Sequence, residues 1–279
     1  MSICKWDTVG EEMKNLNNKV AVVTGAGSGI GRELAIELAK KGCCLAITDV
    51  NEKGLADTVS MLGLSDDKVK SYIVDSSSKE ATFELAEKVI KIFGQVDIVI
   101  NNAGIASHGT VEELSYDVFE KVINVDMWGV IHGCKAFIPY LKQCSEAALV
   151  NVSSTFAFIP FPENAPYNMS KYAVHGLNET LMLELGDTSV NVLSVHPGGI
   201  KTNIANKAIG MDEEAKKKFN KLLLTTANSA AKQIVRAVER KKSYLFIGAD
   251  AKLAHFIKRL SPKMALYIAK RQAEIVNRK

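Results

Sequence analysis

Tyr167 and Lys171 stand four residues apart in Tyr167-Asn168-Met169-Ser170-Lys171, a spacing that puts both side chains on one helix face. An ammonium beside a phenol favours the phenolate and lowers its pKa from about 10. A phenol tuned that way can take a proton from an alcohol or return one to a carbonyl. Ser154 lies 13 residues earlier, at the end of an apolar run, where its hydroxyl can hold the same oxygen. A tyrosine and a lysine at this spacing also arise by chance, so the reading depends on their surroundings.

A second cluster has the makings of a phosphate cradle. The β-branched run at 19–24 ends in Thr24-Gly25-Ala26-Gly27-Ser28-Gly29-Ile30-Gly31, which opens directly into helical periodicity. Gly25 permits a tight turn, Gly29 lets the backbone approach a pyrophosphate, and Gly31 lets the helix pack on its strand. Amides around Ser28 and Ile30, with the positive end of the helix dipole, suit the phosphates. Asp49, 18 residues past Gly31, ends the next strand. A carboxylate there accepts from both adenine-ribose hydroxyls and repels a 2′-phosphate, which favours NAD over NADP; helix capping is its alternative role. The glycine turn contains no Arg or Lys, although Lys53 is near. Asp75, followed by Ser76, ends the third strand, where it can meet the adenine amino group or shape a turn. Asn101-Asn102-Ala103-Gly104 ends the fourth. Its asparagines can bond neighbouring strand ends, and Gly104 leaves room beside a cofactor.

The elements that must position these groups alternate. Apolar runs predict strands at 19–24, 44–49, 70–75, 97–104, 147–154, 190–198 and 243–248. Helical spacing predicts helices at 32–41, 79–93 and 167–185, with two more between Val111 and Cys144 that break near Val125–Asp126. This rhythm implies right-handed βαβ crossovers and a doubly wound, seven-stranded parallel sheet of Rossmann type. Without repeats or a dividing linker, residues 1–279 read as one dinucleotide-binding and catalytic domain. Residues 17–202 form its core, 203–240 supply polar substrate-loop helices, and 249–279 make a helical C-terminal extension.

Bulk properties narrow the class. With 47% hydrophobic and 24% charged residues, the chain can bury a large α/β core, and no run is long enough to span a bilayer. The first 19 residues are polar and carry acids, unlike a secretory signal. Five cysteines without CxxC or Cys/His spacing point to reduced thiols in the cytoplasm and to no metal site, with a catalytic cysteine as the alternative. The net charge of +4 conceals an asymmetry. Residues 201–279 hold 19 Lys and Arg against 6 Asp and Glu, which is +13 and leaves −9 for residues 1–200. A basic tail suits a membrane surface or polyanion, or simply solvated helix faces. No nucleic-acid partner is expected.

Taken together, TGAGSGIG (24–31), NNAG (101–104), Asn124, Ser154, Tyr167-Asn168-Met169-Ser170-Lys171 and Pro197-Gly198 resemble, in order and spacing, the short-chain dehydrogenases/reductases over roughly residues 17–202. The resemblance implies hydride transfer between a substrate carbon and nicotinamide C4. Tyr167 is then the acid/base, Ser154 orients the substrate oxygen, and Lys171 binds the nicotinamide ribose while lowering the tyrosine pKa. It makes Asn124 the holder of a proton-relay water through its kinked backbone. Pro197-Gly198 would pass the nicotinamide, and Thr202 would bind its carboxamide. A non-catalytic nucleotide-binding regulator on the same fold would be expected to lose Tyr167 or Lys171, and both are present. The C-terminal end departs from the family's short glycine-rich tail. That favours a homodimer through 111–143 and 167–186 over the usual homotetramer. Ile105, Ala106, Phe156, Phe158, Asn164, Gly199 and the 203–225 segment should line a substrate pocket for a neutral, hydrophobic alcohol or carbonyl compound. In the extension, Leu253, Phe256, Ile257 and Leu260 line one helical face. They are expected to pack near the substrate entrance, with a subunit contact or membrane docking as the alternatives.

Overall fold

A computed structural model describes residues 13, 15–221 and 223–277; Cys4 and most of the N-terminal segment read above lie outside them. The apolar runs become the strands Val20–Thr24 (β1), Cys44–Asp49 (β2), Val69–Ile73 (β3), Ile98–Asn101 (β4), Ala147–Val152 (β5) and Val190–Pro197 (β6). Ile200–Lys201 (β7) pairs with Thr225–Thr226 (β8) in a small separate ribbon, and Tyr244–Ile247 (β9) completes the main sheet. Seven strands run in the order β3-β2-β1-β4-β5-β6-β9, every pairing parallel. The central strands are covered on both faces, which is why they read as unbroken apolar runs rather than alternations. Strand order reverses between β1 and β4, so a crevice opens at their carboxyl ends.

Two helical layers cover the sheet. Gly29–Lys40 (α1) and Glu52–Leu62 (α2) lie on one face, with Leu34, Leu38 and Leu55 in the core. Lys79–Phe93 (α3), Tyr116–Ile123 (α4), Gly129–Leu141 (α5) and Ala165–Glu184 (α6) follow, and α3, α5 and α6 bury Val89, Phe137 and Val174 on the other face. The expected break near Val125–Asp126 is a π-helical turn, Asn124–Trp128, joining α4 to α5. Glu213–Lys221 (α7), Ala227–Glu239 (α8), Ala249–Leu260 (α9) and Pro262–Asn277 (α10) complete the order.

Three differences from the sequence expectation matter. Helix α2 escaped the periodicity reading, although Asn51 caps it by accepting from the Gly54 amide and left-handed Gly63 ends it. The 203–240 interval is not uniformly a substrate loop: α8 packs on α1 and buries Ala230, Ile234, Val235 and Val238 in the main core. The inward face of the extension also differs. Ala265, Ala269 and Ala273, at four-residue steps, rest on Phe158, Ile159 and Phe161, while Leu253, Phe256 and Leu260 face outward; of the expected stripe, only Ile257 packs inward.

Candidate active site

The cofactor end is built by the turn from β1 into α1. Gly25 and Gly29 both take positive φ, at +67° and +56°. A Cβ on Gly31 would lie 2.1 Å from the Gly25 carbonyl oxygen, so only glycine lets α1 start this close to β1. Ser28 is the N-cap yet bonds none of the first-turn amides, and no acid occupies that turn. The amides at the α1 N-terminus therefore remain donors in search of an anion. Next to them a cleft of about 500 Å³ is lined by, among others, Gly29, Arg32, Glu33, Lys201, Thr202 and Asn206. Thr202 faces Gly29 directly across the turn.

Asp49 ends β2 as expected, and its Oδ2 accepts from the Gly27 amide at 2.8 Å while Oδ1 accepts from the Asn51 amide. A Cβ on Gly27 would collide with that carboxylate. Arg32 lies closer to the glycine turn than the sequence suggested. Its guanidinium is committed to the Gly27 and Gly54 carbonyls and to the Thr58 hydroxyl, and so pins the turn to α2. The NNAG residues split their work. Asn102 Nδ2 donates to the Thr24 carbonyl, and the Asn102 and Ala103 amides donate to Thr24 Oγ1, which fastens the end of β4 to the glycine turn. Gly104 lies against Asp126 and Lys171. Asp75 is exposed, its Oδ1 accepting from the Ser77 amide and hydroxyl as a turn former, and Ser76 packs on Gly129.

At the chemical end, Lys171 Nζ lies 5.3 Å from the centre of the Tyr167 ring and donates to the Val152 carbonyl at 3.3 Å. The Ser154 hydroxyl is within hydrogen-bonding reach of the Tyr167 phenol, and the Phe156 ring meets the tyrosine edge-on. Asn124 opens the π turn between α4 and α5. Its side chain is exposed, and its carbonyl accepts the Gly129 amide in the π turn. The group aimed at the lysine is Asp126, wholly buried, with Oδ2 3.1 Å from Lys171 Nζ and Oδ1 accepting the Ile105 amide at 2.7 Å. Sequence reasoning missed it, although Val122, Asp126 and Val130 are all buried at four-residue intervals.

That carboxylate changes the electrostatics expected of the site. Burial pushes the Tyr167 phenol above 10; Lys171 and the Ser154 hydroxyl pull it back, and Asp126 pushes it further up. The net direction is upward, opposite to that expected from the lysine alone. Burial also lifts Asp126 above the usual carboxylate range, opposed by Lys171 and the Ile105 amide. Lys171 is raised: burial lowers it, but Asp126 and Tyr167 outweigh that loss. Cys43 and Cys134 are unsuited to nucleophilic work, since burial pushes their thiols to about 12.

A buried polar chain supports the site from below. Asn101 Nδ2 donates to Asn151 Oδ1, Asn151 Nδ2 to Asn178 Oδ1, and Asn178 Nδ2 to Ser194 Oγ, each at 2.7–2.8 Å. Ser194 and His196 Nε2 are 2.8 Å apart, and His196 Nδ1 reaches the Ser154 carbonyl at 3.3 Å. A neutral His196 with its proton on Nδ1 continues the same donor direction. Phe158 is not a pocket residue: it packs among His175, His196, Phe246 and His255 beneath α9. Beyond β6, Asp250 Oδ2 accepts the Gly199 amide at 2.7 Å and crowds Gly198, tying α9 to the turn after Pro197.

Comparison with known proteins agrees with this geometry. Residues 19–213 match the family model described as short chain dehydrogenase. The chain is 40% identical over 255 residues to the putative oxidoreductase SadH of Mycobacterium tuberculosis, covering 89% of this chain and 92% of that one. A short-chain dehydrogenase/reductase from Burkholderia phymatum, solved in complex with NAD, superposes with a TM-score of 0.80 at 29% identity. That match covers 88% of this chain and 96% of the other. The 3-ketoacyl-(acyl-carrier-protein) reductase of Brucella melitensis, complexed with NADH, gives a TM-score of 0.75 at 27% identity over 84% and 98% of the two chains. With its parallel sheet, its glycine turn and its Tyr167–Lys171 pair, the chain is an oxidoreductase that belongs to the short-chain dehydrogenase family.

Proposed function

We propose that this oxidoreductase uses NAD to interconvert a hydrophobic alcohol with its ketone or aldehyde. The observation that carries the reading is Tyr167 held beside both Ser154 and Lys171, with the Phe156 ring on its edge. The free first-turn amides of α1 fit a pyrophosphate, and Asp49 fits ribose hydroxyls. When bound, the nicotinamide dinucleotide supplies or accepts the hydride. Tyr167 moves the proton at the substrate oxygen, Ser154 holds that oxygen, and Lys171 orients the nicotinamide ribose. Asp126 holds Lys171 in place and balances its charge, so Tyr167 stays a phenol at neutral pH and is poised to donate.

Gly25, Ser28, Gly29, Ile30, Gly31, Gly104, Pro197, Gly198 and Thr202 shape the dinucleotide path, with Asp75 and Ser76 at its adenine end. The SadH and Burkholderia relatives support the reaction class. Phe156 and Phe161, stacked on each other below α10, support an apolar substrate. Two copies would pair through α4–α6, where Trp128, Met169 and Leu183 are exposed.

The test is NADH consumption with a panel of apolar and polar ketones and aldehydes, with Tyr167→Phe as control. Turnover of the apolar members, lost in the variant, is the expected result. Turnover confined to charged substrates, or to NADPH, would overturn the substrate or the cofactor assignment respectively.

A further inference from the structure

The C-terminal extension turns its small face inward and its large one outward. While Ala265, Ala269 and Ala273 rest on the Phe158–Phe161 loop, Leu253, Phe256 and Leu260 of α9 are 58%, 59% and 70% exposed. Met264 and Tyr267 of α10 are also more than half exposed. Residues 253, 256 and 260 recur at helical spacing and form one stripe. A single exposed leucine is ordinary, but a contiguous apolar stripe marks a contact surface.

Lys252 and Arg259 flank that stripe on α9, and Lys263 and Lys270 are exposed on α10. Among the described residues, none of these four cations has a carboxylate within ion-pair distance. The two acids of these helices are already engaged, Asp250 by the Gly199 amide and Glu274 by Arg271.

We propose that this face docks on the surface of an anionic lipid bilayer. Charge selects the occupant. A second copy meeting it across a two-fold axis would press the same unpaired cations together, whereas anionic headgroups match them and the acyl boundary takes the apolar stripe. No described helix is long and apolar enough to cross a membrane, so the contact is peripheral. A docked surface would lie about one helix diameter, roughly 10 Å, from the loop that carries Phe156 beside Tyr167.

Sedimentation of the full chain with vesicles tests this. One set is phosphatidylcholine alone, the other equal parts phosphatidylcholine and phosphatidylglycerol, each in low and high salt. Two variants accompany the parent, Leu253→Ser/Phe256→Ser/Leu260→Ser and Lys252→Glu/Arg259→Glu/Lys263→Glu. All six positions are exposed, and unchanged melting curves check folding. The parent is expected to bind anionic vesicles at least about tenfold better than neutral ones or than either variant does, and to release them in high salt. Parent protein that ignores both vesicle types overturns the proposal, as does a serine variant that binds like the parent. A serine variant whose mass halves in light scattering, with no vesicle binding by the parent, assigns the face to a second copy instead.

Discussion

Asp126 and Lys171 form an ion pair of 3.1 Å in which neither side chain is more than 4% exposed, directly behind the phenol of Tyr167. A lysine alone would drive Tyr167 toward phenolate. Burial raises the phenol, and a lysine already paired with a carboxylate pulls it back less than a free one would.

Asp126→Asn removes that negative charge while keeping the shape. The Tyr167 phenol should ionise more easily. The acid limb of kcat/KM for alcohol oxidation then moves to lower pH, by on the order of one unit. Asp126→Ala leaves Lys171 uncompensated and should destabilise the fold by about 3–5 kcal/mol. A pH–rate profile for the asparagine variant that superposes on the parent's would refute the charge-balancing role.

Tyr167→Phe deletes one hydroxyl from a ring held by Phe156 and Lys171. Turnover should fall by roughly 10²-fold or more, the usual worth of a positioned acid/base. NADH affinity, read by fluorescence titration, should stay within a few fold. Activity close to the parent's would assign the proton to another group.

Asp49 presents its carboxylate at the end of β2, with Arg32 committed to the backbone of the glycine turn. NADH should therefore bind at least about tenfold tighter than NADPH, since lost ribose bonds and added repulsion exceed about 1.4 kcal/mol. Asp49→Ser should narrow that ratio. Equal affinities in the parent protein would sink the assignment.

His196 is held neutral, burial pushing its pKa down to about 3 from 6.5, with His175 and His255 lowered beside it. Because the unfolded chain binds the proton more readily, this group's stability contribution is complete above about pH 6.5 and is lost as pH falls toward 3. The melting midpoint should drop over that window, and His196→Asn should flatten the slope. Identical slopes would mean that other groups govern acid unfolding.

Ala273 packs against Phe161, which stacks on Phe156 next to Tyr167. Ala273→Leu should lift α10 from this loop, costing about 1–3 kcal/mol by overpacking. KM should change while NADH affinity does not. Unaltered kinetics would show that α10 does not border the substrate.

The glycine turn, Asp49 and the Tyr167–Lys171 pair were legible because strand–turn–helix and four-residue spacing are local signals. Asp126 was legible in principle, as a carboxylate in the apolar row Val122–Asp126–Val130. Asn124, expected to act through its backbone, opens the π turn with its side chain exposed. Helix α8 read as polar because Asn228, Ser229, Lys232, Gln233, Arg236 and Glu239 separate the small runs Ala230–Ala231, Ile234–Val235 and Ala237–Val238 that it buries. In α9 the stripe itself was found, but periodicity does not say what a stripe faces. Small alanines on α10 allow close approach to the aromatic loop, so the bulkier residues of α9 are turned away. Asp250 gave no local sign, since its partner Gly199 lies 51 residues earlier.

The donor chain from Asn101 through Asn151, Asn178, Ser194 and His196 to the Ser154 carbonyl runs in one sense only. Turning any one amide over would set donor against donor at its neighbour, so the row flips as a whole or not at all. The backbone of Ser154 thus takes its position from the interior of the sheet, across three strands and helix α6, and not from the loop that follows it. That separates two kinds of change open to this protein. Residues on the Phe156–Phe161 loop and on α10 can be exchanged without touching this row, while Ser154 keeps its register.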